Sequence, residues 1–295
     1  MKPIYLDNAA TTPLANEVVK TLKEELNNFL ANPSSSHFLG KKAKVKILNA
    51  KKSIGDFFNI KPEEIIFTSG ATEALNTCIK GFYNLLKKPH IITTDIEHPA
   101  VFNTIKHLEE NGADVTYLKC PNGYPELKDI ENAIQDNTKL FVFSYVNSET
   151  GIVSDIDNIA NLAKENDIAL IVDAAQALGK IDFNITDGIS AMCFSGHKIH
   201  ATSGIGFFYL NSKYKISPLL LGGTQEYKKR AGTENILGII ALKTAINILL
   251  KKQKEDILHL SKIQHHFENA LKSKLNIKIN GFDVKRSLIY LTLLF

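Results

Sequence analysis

The residue types able to do chemistry cluster at two places in the middle of this chain. Lys198 closes Ser195-Gly196-His197-Lys198 directly after the apolar run 189–194, and Asp173 closes another apolar run, 168–172, 25 positions earlier. An amine and a carboxylate delivered to the ends of core strands suit a pyridine aldehyde. The aldehyde condenses with the amine, and the protonated ring nitrogen pairs with the anion. Pyridoxal 5′-phosphate (PLP) is the cofactor these two groups imply. Gln176 lies three positions after Asp173. It can donate to the ring's phenolate oxygen while Asp173 takes the ring N–H in a charge-assisted hydrogen bond. Taken alone, Asp173 reads equally as a strand-end carboxylate capping a helix.

A phosphate needs donors. Ser69-Gly70-Ala71-Thr72 follows a strand-like run and opens a helical one, so the N–H groups around Ala71 and the Thr72 hydroxyl can meet an anion. Ser195 and His197 flank the lysine and can add to them. Ser, Gly and Thr are also what a plain turn prefers. His98, in Glu97-His98-Pro99-Ala100, stands at a strand–helix junction. There an imidazole either caps the helix or lies flat on a cofactor ring and relays a proton. Another glycine-rich stretch, 222–226 and 230–235, precedes a long helical pattern, with Thr233 read as its N-cap. His265 and His266 are adjacent on a polar helix, point to different faces and make no metal site.

The elements that must position these groups alternate in type. Strands are predicted over 64–68, 91–94, 115–118, 140–144, 169–172 and the buried run 189–194, and helices over 71–83, 99–110 and 156–165. That rhythm predicts an α/β fold with a mostly parallel sheet and helices on both faces. Upstream, helices are expected over 13–30 and 41–58. Downstream, a helix is expected over 234–275, broken near 251–254.

With 295 residues, 44% hydrophobic and 22% charged, the chain can form one large domain and a smaller one. The net charge of +4 comes from lysines scattered along helix faces, which argues against nucleic acid as a partner. No run reaches the ~18 apolar residues of a membrane span, and the amino terminus lacks a signal-peptide apolar region. Cys78, Cys120 and Cys193 are odd in number and form no CxxC. A reducing compartment, the cytoplasm, is therefore expected.

Together the motifs resemble the cysteine desulfurases, PLP enzymes of the class-V aminotransferase group with the fold type I architecture. The resemblance runs through 5–12, 32–37, 69–73, 97–101, Asn147-Ser148-Glu149-Thr150-Gly151, 173–176, 195–198 and 230–235, in the family's order. It implies a seven-stranded-type sheet and L-cysteine as substrate, with alanine released and sulfur passed to an acceptor protein. Iron–sulfur assembly and tRNA thiolation are both open as destinations. By this resemblance Lys198 carries the cofactor and later shuttles a proton, and Asp173 partners the pyridinium. Gln176 and Asn147 lie near the phenolic oxygen, and His98 stacks on the ring. Thr72, Ser195 and His197 bind phosphate, Asn8 lies near substrate, and Thr233 reaches a neighbouring subunit's phosphate, which implies a homodimer.

The expected organisation is an amino-terminal segment of a small domain (1–15), a large PLP-binding domain (16–240), and an interdomain helix leading into an incomplete small α+β domain (241–295). The family's nucleophilic cysteine and carboxylate-binding arginine belong after the point where this sequence stops, so a truncated or frame-disrupted relative is expected. The final apolar run, 288–295, would then be an unpaired edge. Cys78 reads as core and Cys120 as part of a surface turn. Cys193 shares a strand face with Ser195 near the cofactor but is fixed, whereas sulfur transfer needs a mobile thiolate. His200-Ala201-Thr202-Ser203-Gly204 departs from the family's usual Gly-Pro-Lys before the glycine. Two rival readings are another class-V transaminase or lyase and a non-catalytic PLP-binding or scaffold subunit.

Overall fold

Seven short apolar runs pair into one sheet in the computed structural model, which describes residues 4–87, 89–290 and 293–294. They are β1 (Ile65–Thr68), β2 (His90–Thr94), β3 (Asp114–Leu118), β4 (Thr138–Ser144), β5 (Ala169–Asp173), β6 (Ile189–Ser195) and β7 (Gly206–Leu210). The order across the sheet is β1-β7-β6-β5-β4-β2-β3. Pairs β2–β3, β2–β4, β4–β5 and β5–β6 are parallel, while β7 runs antiparallel to both β6 and β1. The mostly parallel α/β sheet is as predicted. Strand β7 was not anticipated: Gly206-Phe207-Phe208-Tyr209-Leu210 is buried throughout, so no alternation marks it as a strand.

Side-chain alternation sorts the strands' residues onto two faces. On one, Phe141, Phe143, Val172, Met192 and Phe194 meet α2 (Phe38–Phe58), α6 (Ile156–Glu165) and α7 (Ile236–Lys274). On the other, Val142, Ile171, Ala191 and Cys193 meet α3 (Ala71–Leu85) and α4 (Pro99–Glu110). A three-layer stack results. Phe194 and Phe207 stack at 4.5 Å between ring centroids inside it.

Several expectations need correction. The first helix spans only Asn16–Leu26, because residues before it are tied elsewhere: Thr12 N–H donates to His197 O at 2.9 Å and Ala15 N–H to His200 O at 3.1 Å. The predicted break near 251–254 does not occur. Lys, Gln and Glu there are good helix formers, and α7 continues past Ile246, the last of its buried apolar residues. Asn235, not Thr233, caps α7 by accepting from Gly238 N–H at 3.0 Å. A short helix, Leu127–Ala133, was not foreseen. Of the final run, Leu293–Leu294 pairs antiparallel with Lys278–Ile279 in a two-stranded sheet, while 291, 292 and 295 lie outside the described residues.

The architecture brings several strand ends to one rim. Ser144 pairs with Asp173, and Ser195 pairs with Gly206. The antiparallel run of β7 puts its first residue, Gly206, beside Thr68 at the end of β1. Glycine is required there: a Cβ at Gly206 would stand 2.6 Å from Gly70 Cα and 2.6 Å from Phe194 O. The loop after β1 can therefore lie directly on the end of β6. In open α/β sheets, ligands bind beyond such carboxyl ends.

Candidate active site

A cavity of about 440 Å3 opens at this rim, within the usual range for small-molecule sites. Of the ten residues expected to hold the cofactor, it is lined by Ala71, Thr72, His98, Asp173, Gln176, Ser195, His197 and Lys198, while Asn8, expected near substrate, is not in its walls. Asn147 and Thr233 are not among its walls.

At one end, α3 begins at Ala71 and aims its free N–H groups into the cavity beside the hydroxyls of Thr72 and Ser195. Glu73 locks this loop. Its carboxylate accepts Ser69 N–H at 2.8 Å and two N–H groups of Arg230, at 2.8 and 3.4 Å. Burial works against the charge on Glu73, but the bonds from Arg230 and Ser69 outweigh it and hold the carboxyl below its ordinary value. Sequence reasoning did not single out Glu73 or Arg230. The available signal was Glu73 directly after the anion loop.

At the other end stand ionisable groups. Asp173 is buried and accepts Ala175 N–H at 3.0 Å. Burial pushes its carboxyl up, opposed by that N–H and by the charges of His98 and Lys198. Lys198 is half-buried, and burial lowers its amine below the ordinary value despite the pull of Asp173 and Asp7. Its Nζ donates to Ala10 O at 2.8 Å and also to Ala9 O. The amino-terminal segment thus folds over the amine. Thr12 Oγ1 donates to His197 O at 2.8 Å. His200, with a left-handed φ of 67°, donates its N–H to Thr12 Oγ1 at 2.7 Å and meets Pro13 O at 2.8 Å. The 200–204 departure therefore stitches this segment to the turn behind Lys198.

His98 takes the capping role weighed for it and also lines the cavity. Its Nδ1 accepts Ala100 N–H at 3.1 Å and caps α4, while the exposed ring faces the cavity. The neutral ring then carries its proton on Nε2. Behind it, Glu97 accepts from Thr94 Oγ1 at 2.8 Å, from Ser144 N–H at 3.2 Å and from Ser144 Oγ. Burial, with a smaller push from Asp173, raises Glu97 to about 7.

Asn147 is spent on its own turn. Its Oδ1 accepts the N–H groups of Glu149 and Thr150, and its Nδ2 donates to Ile96 O at 3.0 Å. Thr233 is exposed on the loop that carries Arg230, lining a smaller recess of about 60 Å3. A buried ion pair anchors that loop: Lys51 Nζ lies 2.7 Å from Glu226 Oε2, which also accepts Phe67 N–H at 2.9 Å. The pair holds Glu226, Tyr227 and Lys228 at φ of 45°, 55° and 64°, a conformation costing non-glycine residues roughly 1–2 kcal/mol each.

All three thiols are buried. Cys120, expected on a surface turn, points inward toward Leu118 O, and burial pushes it up to about 12. Cys193 is closed off from the cavity by contact with Cys78, 3.8 Å between sulfurs.

The donor set is specific in kind. It comprises main-chain N–H groups and hydroxyls for an anion, a nearby amine of lowered basicity, a buried carboxylate, and an imidazole face. Comparison with known proteins agrees. The model of the family described as aminotransferase class-V matches residues 4–292. The cysteine desulfurase IscS of Dictyoglomus turgidum is 36% identical over 285 residues, covering 95% of this chain and 72% of the relative. A cysteine desulfurase of Trichormus azollae is 40% identical over 292 residues, covering 97% and 72%. Among solved structures, a NifS-like protein superposes with a TM-score of 0.94 at 30% identity, covering 99% of this chain and 81% of the other. SspA in complex with cysteine superposes with a TM-score of 0.87 at 35% identity, covering 99% and 84%.

Proposed function

The chain belongs to the class-V aminotransferase family, where its relatives are cysteine desulfurases, and from that premise we propose that it binds PLP in the 440 Å3 cavity and acts on L-cysteine. Enzymes of this family use PLP. The products are L-alanine and sulfur passed to an acceptor protein. What supports the reading most is the shared lining: an amine from the end of β6, a carboxylate from the end of β5 and the N–H end of α3 face one space.

When bound, PLP supplies an electrophilic aldehyde and a ring that draws electrons from the substrate's Cα. The N–H groups at Ala71 and Thr72, the hydroxyls of Thr72 and Ser195, and His197 hold the phosphate. Asp173 keeps the ring nitrogen protonated, and His98 covers the ring face. Gln176 offers an N–H to the ring oxygen. Lys198 would hold the cofactor through Nζ and, as a free amine, would serve as the base that moves a proton at the substrate's Cα. Its lowered basicity suits both tasks at neutral pH.

Borohydride reduction of the PLP-loaded chain, followed by peptide mass measurement, is expected to mark Lys198. Added L-cysteine, with dithiothreitol present to take the sulfur as a persulfide, is expected to yield alanine, and Lys198→Ala to abolish it. A mark on another residue would overturn the assignment.

The reading includes a second copy of the chain, with Thr233 reaching its phosphate. Phe29, Phe38 and Leu221 are 79%, 76% and 86% exposed, an apolar surface suited to a subunit contact. Sedimentation is expected to give a dimer. We place the protein in the cytoplasm, and no helix among the described residues is long and apolar enough to cross a membrane. We divide the chain into 1–15, 16–240 and 241–295, with α7 running across the second boundary and its residues Ala241, Leu242, Ala245 and Ile246 still buried in the core of the large domain.

Burial of all three thiols favours a second reading, a subunit that binds PLP and cysteine without taking the sulfur itself. An added small thiol such as dithiothreitol separates the two. Alanine release rises with the thiol if the chain is catalytic and stays at background if it is a scaffold.

A further inference from the structure

Lys180 has no place in the chemistry above, yet it is a buried amine, 5% exposed, just behind the cavity. The acceptor the structure gives its Nζ is Gln176 Oε1. The Gln176 oxygen faces Lys180 and its NH2 points the other way, so the Lys180 amine donates to it whether or not it is charged. That NH2 donates to Ala9 O at 3.0 Å, the same carbonyl that receives Lys198 Nζ. Gln176 lines the cavity, and its second N–H is free to face it. One chain of hydrogen bonds therefore joins the two lysines through the Gln176 amide and the Ala9 carbonyl.

We propose that Lys180 is a positioning residue: it fixes the Gln176 amide so that an N–H faces the cofactor's ring oxygen, and it adds a positive charge behind that oxygen. This rests on the PLP reading above. Without Lys180 the amide can rotate and present an acceptor to an anionic oxygen.

The charged surroundings are consistent. Burial lowers Lys180 to about 7, with the charge of Lys198 adding to the effect. His197 is lowered by burial and by both lysines. Asp173 and Asp7 pull the other way on Lys198. A second cation near the bound cofactor favours its less protonated form, as does an N–H donated to the ring oxygen. Both influences push the proton-loss midpoint of bound PLP downward.

The test compares the full chain with Lys180→Met, Gln176→Ala and the double variant. Two quantities are read: the dissociation constant for PLP by absorbance titration, and the pH midpoint of the bound cofactor's visible band. Lys180→Met is expected to raise the midpoint by about one unit and to weaken PLP about fivefold. Gln176→Ala should give part of both effects, and the double variant should be no worse than Lys180→Met. A Lys180→Met chain with wild-type midpoint and affinity overturns the proposal, as does a double variant whose effects simply add. Losing a buried cation held by one amide is not expected to unfold the protein, so the cofactor-free variant should melt at or above the wild-type temperature. A variant that fails to fold assigns Lys180 to core stability, which also overturns the proposal. Borohydride marking of wild type is run alongside. A mark away from Lys198 removes the PLP reading itself, whereas a mark on Lys198 with unaltered Lys180→Met removes only the role given to Lys180.

Discussion

The two ends of the cavity are built from different material. The anion end is built mainly on one continuous stretch, 69–73, held by the Glu73–Arg230 pair and joined by Ser195 and His197 from the end of β6. The ionisable end gathers Asp173, Lys198, His98 and Gln176 from separate segments and closes them with the amino-terminal strand of chain. A helix start carries anion-binding geometry with it, so a short loop supplies most of the donors. The other end needs convergence across the sheet, and burial moves Asp173 and Lys198 from their ordinary values.

Substitutions should expose this asymmetry. Lys198→Ala removes a group no neighbour replaces, and alanine release is expected to fall by about 10³-fold or more, measured with saturating PLP and L-cysteine. Asp173→Asn keeps the shape and loses the anion. A decrease of roughly 10²-fold is expected, the scale of one charge-assisted hydrogen bond. At the anion end, Glu73→Gln leaves the N–H donors in place and loosens only their frame. PLP affinity should weaken about tenfold with little change in the rate of the loaded enzyme. A rate loss as large as that of Asp173→Asn would erase the distinction between the two ends.

The smallest effect concerns pH. Glu97 moves from an ordinary 4.5 to about 7, so the folded chain holds this proton more tightly than the unfolded one. Its contribution is complete below 4.5 and is lost as pH rises through 7. Lys180 moves from 10.5 to about 7, so its penalty is largest below 7 and fades as pH rises toward 10.5. Melting of the cofactor-free chain should therefore decline from pH 4.5 to 7 and recover above it. Glu97→Gln should flatten only the first limb, and Lys180→Met only the second.

Most of the anion end was legible because its signal is local: a strand, a short polar loop, a helix. Lys198 and Asp173 were legible because each closes an apolar run. What stayed hidden depends on where a side chain turns. Asn147 reads as a cofactor ligand, yet its amide folds back on the turn it begins, a habit of Asn that spacing does not reveal. Cys120 sits in a turn whose backbone is at the surface, but its sulfur points inward. Strand β7 carries no alternation, and its antiparallel direction follows from the returning loop rather than from its composition. Lys180 looks like any lysine after a glycine. Only the fold shows it buried against Gln176.

The carbonyls of Ala9 and Ala10 that receive the Lys198 amine give the resting chain a clasp. An incoming aldehyde must compete with two acceptors already satisfied, so the approach to holoenzyme is governed by how often the clasp lets go. Loading followed against increasing PLP should accelerate at first and then level off at that release rate. Shortening the chain by its first dozen residues should remove the plateau while leaving the amine itself in place.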